Sequence, residues 1–261
     1  MVYPLVWMIG ASFMTNEQIF SSVSCIPRFL TLSGYKKGFE GYQGMTLLHF
    51  MVNTYKFVIP KVLFTVASAT LTAYGFARFN FIGKRFSFAV LLSTLFLPQV
   101  VLNVPQYILF DQVGWLDSYL PIIIPSLLAG DTYFVYMLIQ FLRGIPKELE
   151  EAAEIDGAST FRKMVDITIP LLEPILFFVI TYGFISALQV YDIPWIISSG
   201  SDVNSVGGPG QVMSFPVMEM VRNIYLGGKS GLGRACAEGV TLMIAILAVT
   251  VVQFKARRKN V

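Results

Sequence analysis

The stretch FSFAVLLSTLFLPQVVLNVPQYILF, residues 86–110, contains no charged side chain in 25 positions. A helix needs about 20 apolar residues to cross a bilayer core of about 30 Å, so this stretch is long enough to span a membrane. The whole chain has the same character: 55% of its 261 residues are hydrophobic and 13% are charged, where soluble domains have about a quarter charged. This composition argues against a soluble enzyme, a disordered chain and a disulfide-stapled mini-fold. It predicts an all-α, polytopic membrane protein.

Four further apolar stretches are long enough, or nearly so, to form spans. The expected spans are about 57–77, 86–110, 118–142, 171–191 and 235–254. The first segment, 1–14, is apolar but too short to cross by itself. We expect it to be the end of a first span whose beginning is missing from this chain; the alternative is an interfacial or re-entrant segment. The prediction is therefore a helical bundle of about six transmembrane helices, the first one truncated.

The distribution of Lys and Arg sets the expected orientation, because short loops rich in these residues stay on the cytoplasmic side. More than half of the 19 basic residues lie in the segments 78–85, 143–173 and 255–261. We therefore expect the loop at 143–174 and the tail at 255–261 to be cytoplasmic. The loop at 15–50 is expected to be extracytoplasmic, and residues 51–254 form the expected transmembrane domain.

The residue inventory excludes several kinds of chemistry. The single histidine, His49, and two distant cysteines, Cys25 and Cys236, suggest neither a metal site nor a disulfide framework. A formal net charge of +3 is too small to indicate a nucleic-acid partner. The nearest approach to a phosphate-binding loop is Gly228-Lys229-Ser230, but the pattern requires a glycine where the chain has Asn223. With no hydrolase motif either, we expect no cofactor in this chain and an energy source supplied by a partner.

One loop has internal order of its own: RGIPKELEEAAEIDGASTFRKMVDITIPLLEP, residues 143–174, which we call the elbow. Pro146 suits the first position of a helix, and the acids that follow favour its amino-terminal turns. Gly157 predicts the end of that helix. Ser159 can then cap a second short helix at about 160–167. The elbow is thus expected to be two short helices joined by a tight turn, parallel to the membrane.

The first elbow helix has a face built from small residues and an acid. Its members fall at i, i+3, i+4 and i+7: Leu149, Ala152, Ala153 and Asp156. Small side chains let another backbone approach closely, and the neighbouring glutamates give that approach a charge preference. This surface suits docking to a protein with a basic groove. An amphipathic loop whose glutamates only keep it solvated explains the pattern equally well.

The elbow also resembles a known signature. Glu151-Ala152-Ala153, Gly157 and Ile167-Thr168-Ile169-Pro170 match in spacing the EAA signature of binding-protein-dependent ABC importers, with Ile169 where the family usually has leucine. The segments IPKELEEAAEIDGAS and AYGFARFNFIGKR resemble those of the maltose-transport type of carbohydrate permease. The likeness runs over residues 50–200.

The resemblance implies a mechanism and a set of partners. In this family the elbow is the coupling helix that sits in a cleft of a cytosolic ATPase subunit, so Glu151 would pair with a basic residue there and Gly157 would make the turn. Ala152, Ala153 and Asp156 occupy matching positions of the same contact. The implied assembly has a second permease subunit, a paralogue on the family pattern, two cytosolic subunits that bind ATP and magnesium, and an extracytoplasmic solute-binding protein. It would move a sugar or oligosaccharide across the prokaryotic cytoplasmic membrane by alternating access.

Polar residues inside the apolar stretches are candidates for the substrate path. Asp131 lies within the stretch 118–142, where a charge costs about 3 kcal/mol and needs a partner or a water-filled cavity. A structural role at a helix break beside Gly130 explains it about equally well. Gln99 and Asn103 interrupt the stretch 86–110 beside prolines, as in transporters whose discontinuous helices expose polar backbone to a ligand. A packing kink is the alternative there.

A third group of candidates follows the stretch 171–191: Gln189, Tyr191 and Asp192, with Trp195 nearby. Polar groups beside aromatic rings suit a sugar. An aromatic belt at the membrane interface explains Tyr191 and Trp195 equally well. Where the sugar permeases commonly have an asparagine and an acid, this chain has Leu188 and Gln189, so the identity of the sugar stays open.

Two other functions are compatible with a membrane helical bundle. An ion-coupled secondary transporter usually needs a relay of buried ionisable groups, and Asp131 is the only one that we expect to be well buried. That function also leaves the elbow unexplained. A non-transporting scaffold would recruit a cytosolic partner through the elbow. None of the three functions makes this chain an enzyme.

Overall fold

The fold is described by a computed structural model that covers residues 2–21, 24–42, 44–199, 207–208, 211–228 and 231–258. Within these ranges the chain is helical, apart from turns and one isolated antiparallel bridge between Tyr42 and Met45. The predicted all-α fold is confirmed. Some predicted features fall outside the described residues: Met1 of the first segment, Lys229 and Ser230 of the rejected phosphate loop, and 259–261 of the expected tail.

The helices are numbered in chain order. They are α1 (Tyr3–Ala11), α2 (Asn16–Ser21), α3 (Ser33–Glu40), α4 (Leu47–Arg78), α5 (Lys84–Leu95), α6 (Gln99–Gln112), α7 (Leu120–Leu127), α8 (Thr132–Gly144), α9 (Glu148–Ile155), α10 (Thr160–Lys163), α11 (Ile169–Leu171), α12 (Glu173–Leu188), α13 (Asp192–Ser199), α14 (Pro216–Leu226) and α15 (Gly231–Arg258). A π-helical turn, Met164–Thr168, links α10 to α11.

Several helical segments of the described chain are long and apolar enough to cross a membrane. Four pass on their own: Leu47–Arg78, Leu120–Gly144, Glu173–Ser198 and Gly231–Arg258. A fifth candidate is the pair α5 and α6, which are bent by 105° at a short break. Each overlaps one of the apolar stretches that predicted a span, so the polytopic helical architecture is confirmed. Helix α1 has nine residues, and its place in a longer first span stays a prediction.

The stretch 86–110 forms two helices rather than one continuous span. The break contains Pro98, which has no N–H to donate and disfavours a helical conformation of the residue before it. Helix α5 therefore ends at Leu95, and α6 begins at Gln99 on a new axis.

Helix α4 begins at Leu47 rather than at the predicted 57, so it takes in the end of the predicted loop 15–50. Lys56 and Lys61 made this part of the sequence look less like a span. Lys56 is exposed in the structure, and the long stem of a lysine lets its charge reach water from an apolar helix. The described part of the predicted loop also contains two short helices, α2 and α3.

The chain forms two compact units. The first consists of Met1–Val58, Gln106–Leu120 and Ile185–Val261, and the second of Ile59–Pro105 and Pro121–Phe184. The second unit contains the elbow and a buried core to which helix α8 contributes one face. That face consists of Phe134, Val135, Leu138, Ile139 and Leu142. Their spacing places them on one side of the helix, towards Ala69 and Ala73 of α4.

In the first unit the amino-terminal segment packs closely on the beginning of α15. A Cβ atom on Gly34 of α3 would lie 2.8 Å from the carbonyl oxygen of Gly233, closer than real Cβ atoms come. The side chain of Asn16 donates to the carbonyl of Gly228 at 2.9 Å and accepts from the N–H of Gly233 at 3.0 Å. Small residues and one bridging amide therefore hold this segment against α15.

Five polar side chains lie between α14 and α15, four of them buried and Arg234 half-buried, and we call them the α14–α15 charge cluster: Glu219, Arg222, Asn223, Arg234 and Glu238. Glu219 accepts from Arg222 at 2.8 Å and from Arg234 at 2.6 Å. Glu238 accepts from Asn223 at 2.9 and 3.0 Å and from Arg234 at 3.1 Å. The two carboxylates share their donors, so each buried charge has an opposite charge within hydrogen-bond distance.

This cluster corrects the expectation about buried ionisable groups. Asp131 is only half-buried, whereas Glu219, Glu238 and Glu150 are all buried more deeply. The sequence interpretation that Asp131 alone is well buried is therefore wrong. Nothing in the spacing of the cluster residues indicated that α14 would bring them together.

Candidate functional site

The first elbow helix, α9, begins at Glu148, two residues after the predicted start at Pro146. Lys147 precedes it with helical backbone angles, and its carbonyl accepts the N–H groups of Glu150 and Glu151 at 2.9 and 3.0 Å. The helix is followed by Gly157, whose φ of +82° is a left-handed conformation that glycine adopts without steric cost. The structure thus has the tight turn at Gly157 that the sequence predicted.

The second half of the elbow differs from the prediction. Ser159 is the N-cap of α10, and its side chain accepts the N–H of Arg162 at 3.3 Å, as expected. The expected helix at 160–167 is instead α10 and a π-helical turn that runs into α11. Pro170 has no N–H to offer to a carbonyl four residues earlier, and the wider π turn accommodates that missing bond.

The docking face of the elbow is open. Glu151, Ala152 and Asp156 are exposed, and Ala153 is half-buried. Ile155 is 87% exposed, which adds a large apolar side chain that the sequence interpretation did not single out. This part of α9 therefore presents two carboxylates, a small residue and an apolar residue at one accessible surface.

Glu150 points the other way, although it is adjacent to Glu151. Its Oε1 accepts from Nε of Arg78 at 2.8 Å and from Oγ1 of Thr168 at 3.0 Å. Nη2 of Arg78 also donates to the carbonyl of Ile145 at 3.3 Å. We call Arg78, Glu150 and Thr168 the elbow latch. The sequence interpretation missed it, because nothing local distinguishes Glu150 from its neighbours.

A second ion pair of the elbow lies near its surface. Nζ of Lys163 donates to Oε2 of Glu154 at 2.8 Å, and the Glu154 side chain is 71% exposed. This hydrogen bond holds the pKa of Glu154 below its ordinary value and raises the pKa of Lys163. The pair links α9 to α10 across the turn at Gly157.

The candidate Asp131 lies at a break between α7 and α8. Ala129 has a φ of +56°, and the N–H of Gly130 donates to the carbonyl of Pro125 at 2.8 Å. Oδ2 of Asp131 accepts from Oγ1 of Thr65 on α4 at 2.7 Å. This geometry supports the structural alternative for Asp131, while a role in the substrate path stays a prediction.

Gln99 and Asn103 both lie on α6, where the broken span resumes. Gln99 is the first residue of that helix and is exposed. Asn103 is buried, and its Oδ1 has no hydrogen-bond partner among the described residues. A buried amide oxygen without a partner is costly, so this atom is available for a ligand or for water.

The remaining candidates lie in the first unit, between α12 and α13. Gln189 and Asp192 are exposed, and Tyr191 is half-buried. The rings of Tyr191 and Trp195 lie 5.4 Å apart between centroids. Asp192 is the first residue of α13, where a negative charge is favoured by the helix dipole. These contacts are compatible with both the sugar site and the aromatic belt.

The family comparison identifies the class of protein. The family of binding-protein-dependent transport system inner membrane components matches residues 65–254. The match covers most of the chain and the whole elbow, so the chain belongs to this family. The members are membrane components of transport systems rather than enzymes. The resemblance inferred from the EAA signature is therefore confirmed, and it argues against both the ion-coupled carrier and the scaffold.

Relatives with assigned functions fall within carbohydrate and related transport. The galactooligosaccharides transport system permease protein GanQ of Bacillus subtilis is 30% identical over 187 residues, which are 72% of this chain and 66% of that protein. The sn-glycerol-3-phosphate transport system permease protein UgpE of Brucella abortus is 27% identical over 209 residues, 78% of this chain and 73% of that protein. The chain thus spans just under two thirds of the length of the Bacillus relative.

A solved structure has the same fold. A crystal structure of a bacterial ABC transporter involved in the import of the acidic polysaccharide alginate matches with a TM-score of 0.74. The match covers 97% of this chain and 90% of that chain at 18% sequence identity. The helical architecture is therefore one that an ABC importer subunit adopts.

Proposed function

We propose that this chain is the permease subunit of an ABC importer that moves a sugar or oligosaccharide across a prokaryotic cytoplasmic membrane by alternating access. Two cytosolic ATP-binding subunits would dock on the elbow, and a second permease subunit, a paralogue, would complete the path. A solute-binding protein on the outer side would deliver the substrate. In this arrangement the elbow and the carboxy-terminal tail face the cytoplasm.

The observation that carries the proposal is the geometry of α9 in a member of this family. Glu151, Ala152 and Asp156 are exposed on a helix whose end is fixed by the left-handed turn at Gly157. A small residue allows a partner backbone to approach closely, and the carboxylates favour a partner with a basic groove. An ATPase subunit bound there would move the elbow with energy from its own nucleotide site.

The proposed substrate class is supported by the relatives named for galactooligosaccharides and for sn-glycerol 3-phosphate. Both solutes carry hydroxyl groups, which need hydrogen-bond partners in the path. The Oδ1 of Asn103, which has no hydrogen-bond partner among the described residues, would supply one such partner. The side chains of Gln99 and Gln189 would supply others. Tyr191 would offer a ring on which the apolar face of a sugar stacks.

The decisive experiment reverses the charge of the docking face. The complete complex, with its ATPase and solute-binding subunits, is reconstituted with Glu151→Lys in this chain. We expect the chain to remain in the membrane while solute-stimulated ATP hydrolysis falls at least about tenfold, because a like charge now meets the basic groove. Glu148→Lys is the matched control, since Glu148 is exposed on the same helix but outside the signature. Normal stimulated hydrolysis with Glu151→Lys would contradict the proposed docking.

A further inference from the structure

We propose that the elbow latch, Arg78, Glu150 and Thr168, transmits the movement of the docked helix α9 to the membrane helices α4 and α12. Glu150 is then a positioning residue, which acts through Arg78 rather than by touching the ATPase or the solute. The proposal rests on the proposed function of the elbow as the docking surface. It adds a specific route by which force leaves that surface.

The first argument is the place of the latch in the chain. Arg78 is the last residue of α4, and Glu150 lies in the first turn of α9. Thr168 ends the π-helical turn that leads through α11 into α12. The latch therefore joins the docking helix to the end of α4 and to the turn that leads into Glu173–Ser198, and both helical segments are long enough to cross a membrane.

The second argument is that the latch holds both sides of the beginning of α9. One nitrogen of Arg78 binds the Glu150 carboxylate, and another binds the carbonyl of Ile145 ahead of the helix. The planar, forked guanidinium can hold two acceptors in fixed directions, as a lysine ammonium cannot. Arg78 thus restrains α9 at Glu150 and also holds the carbonyl of Ile145, in the segment that leads into the helix.

The third argument concerns burial. The side chains of Arg78 and Glu150 are 6% and 11% exposed. A buried ion pair is a poor way to gain stability, since apolar side chains of similar size often serve as well or better. Such a pair instead fixes the relative position and orientation of the two helices, because its hydrogen bond weakens quickly when the two groups separate or rotate. Such a contact allows α9 and the end of α4 to move together as a rigid body.

The fourth argument comes from the alternation of Glu150 and Glu151. Successive residues of a helix project about 100° apart, so fixing the inward direction of Glu150 also fixes the outward direction of Glu151. The same helix turn therefore has one glutamate for the partner and one for the membrane helices. A push on Glu151 reaches Arg78 through a single turn of backbone.

The test uses the complete complex in proteoliposomes, with Glu150→Gln and Thr168→Val measured separately. Two quantities are read: the ATPase subunits retained per permease chain, and the solute molecules imported per ATP hydrolysed. We expect retention to stay normal in both variants, because Glu151 and its neighbours are unchanged. Import per ATP should fall about tenfold with Glu150→Gln, within the usual range of coupling between sites, and less with Thr168→Val.

The matched control is Glu154→Gln, which removes a different ion pair of the elbow, the one with Lys163. It carries the same chemical change on the same helix but has no partner in α4. Import per ATP should stay at the level of the unaltered complex. A fall equal to that of Glu150→Gln would overturn the proposal, because any loss of charge on α9 would then suffice.

Two further results would overturn it. One is unchanged import per ATP in both Glu150→Gln and Thr168→Val. The other is loss of ATPase subunits with Glu150→Gln while Thr168→Val transports normally, which would make the pair only a folding element. Failure of the unaltered chain to bind any ATPase subunit is a different outcome, since it rejects the proposed function itself.

Discussion

The elbow latch and the α14–α15 charge cluster both contain buried glutamate–arginine pairs, but the two differ in the number of their hydrogen bonds and in their exposure. In the latch one glutamate is shared by one arginine and one threonine, and the next residue, Glu151, faces outward. In the cluster two glutamates share two arginines and an asparagine, and all five side chains are buried or nearly so. The latch therefore has few bonds and an exposed neighbour, while the cluster has many bonds and is closed.

The difference indicates what each region can do. A site with a single buried carboxylate has little redundancy, so loss of one group breaks the connection and leaves the surroundings in place. In a closed network, the loss of one side chain is shared among several hydrogen-bond partners, and the remaining groups are occupied by one another rather than by a ligand. We therefore expect the latch to affect coupling and the cluster to affect stability.

The largest effect is expected from Glu238→Leu in the cluster. The change leaves Arg234 and Asn223 without one of their two carboxylates in a buried site. Removing one partner of a buried charge network should lower the free energy of unfolding by about 3 kcal/mol. The unfolding temperature of the purified protein in detergent measures it. Glu238→Gln keeps the shape and an acceptor and should lose much less; equal stability of Glu238→Leu and the unaltered chain would show that the cluster does not hold α14 on α15.

An intermediate effect is expected from Gly157→Val at the elbow turn. Apart from the glycine itself and its two chain neighbours, no atom of the described residues lies within 4 Å of a Cβ built at Gly157, so the cost comes from backbone strain alone. A β-branched residue at a φ of +82° should cost about 1–3 kcal/mol locally and weaken ATPase docking. Co-purification of the ATPase subunits measures the loss. Gly157→Asn tolerates this conformation better and should retain most of the binding; equal retention by all three proteins would remove the requirement for a left-handed turn.

The smallest effect is expected from the ion pair between the exposed Glu154 and the half-buried Lys163. Because the pKa of Glu154 is lowered by its hydrogen bond to Lys163, the pairing is present above the ordinary pKa of a glutamate and is lost as the pH falls through the lowered value. The raised pKa of Lys163 keeps the pair intact until the pH rises through that value.

The rate of limited proteolysis at the elbow should therefore be flat from about pH 5 to 9 and rise below about pH 4. With Glu154→Gln the pairing contribution to that acid response should disappear, with little change at neutral pH. An acid response unchanged by the substitution would assign it to other carboxylates.

The sequence predicted the helical fold and most of the elbow because both depend on local patterns. A charge-free stretch of sufficient length marks a span wherever it occurs, and Gly157 and Ser159 act on their own neighbours in the chain. The elbow sequence could not reveal the π-helical turn, since Pro170 permits either a break or a widened turn. The predicted span began at 57, ten residues after the start of α4, because Lys56 and Lys61 interrupt the apolar pattern that continues back to Leu47.

The sequence by itself determined that the helices lie in a membrane, because this follows from composition. It also determined the tight turn of the elbow, because the conformational freedom of Gly157 does not depend on residues far away in the chain. Tertiary structure alone decided which of two adjacent glutamates is buried. Arg78 lies 72 positions from Glu150, and no local pattern connects them. The same holds for the cluster, where Glu219 and Glu238 meet only after α14 has packed on α15. A buried charge is defined by its partner, and the partner is chosen by the fold.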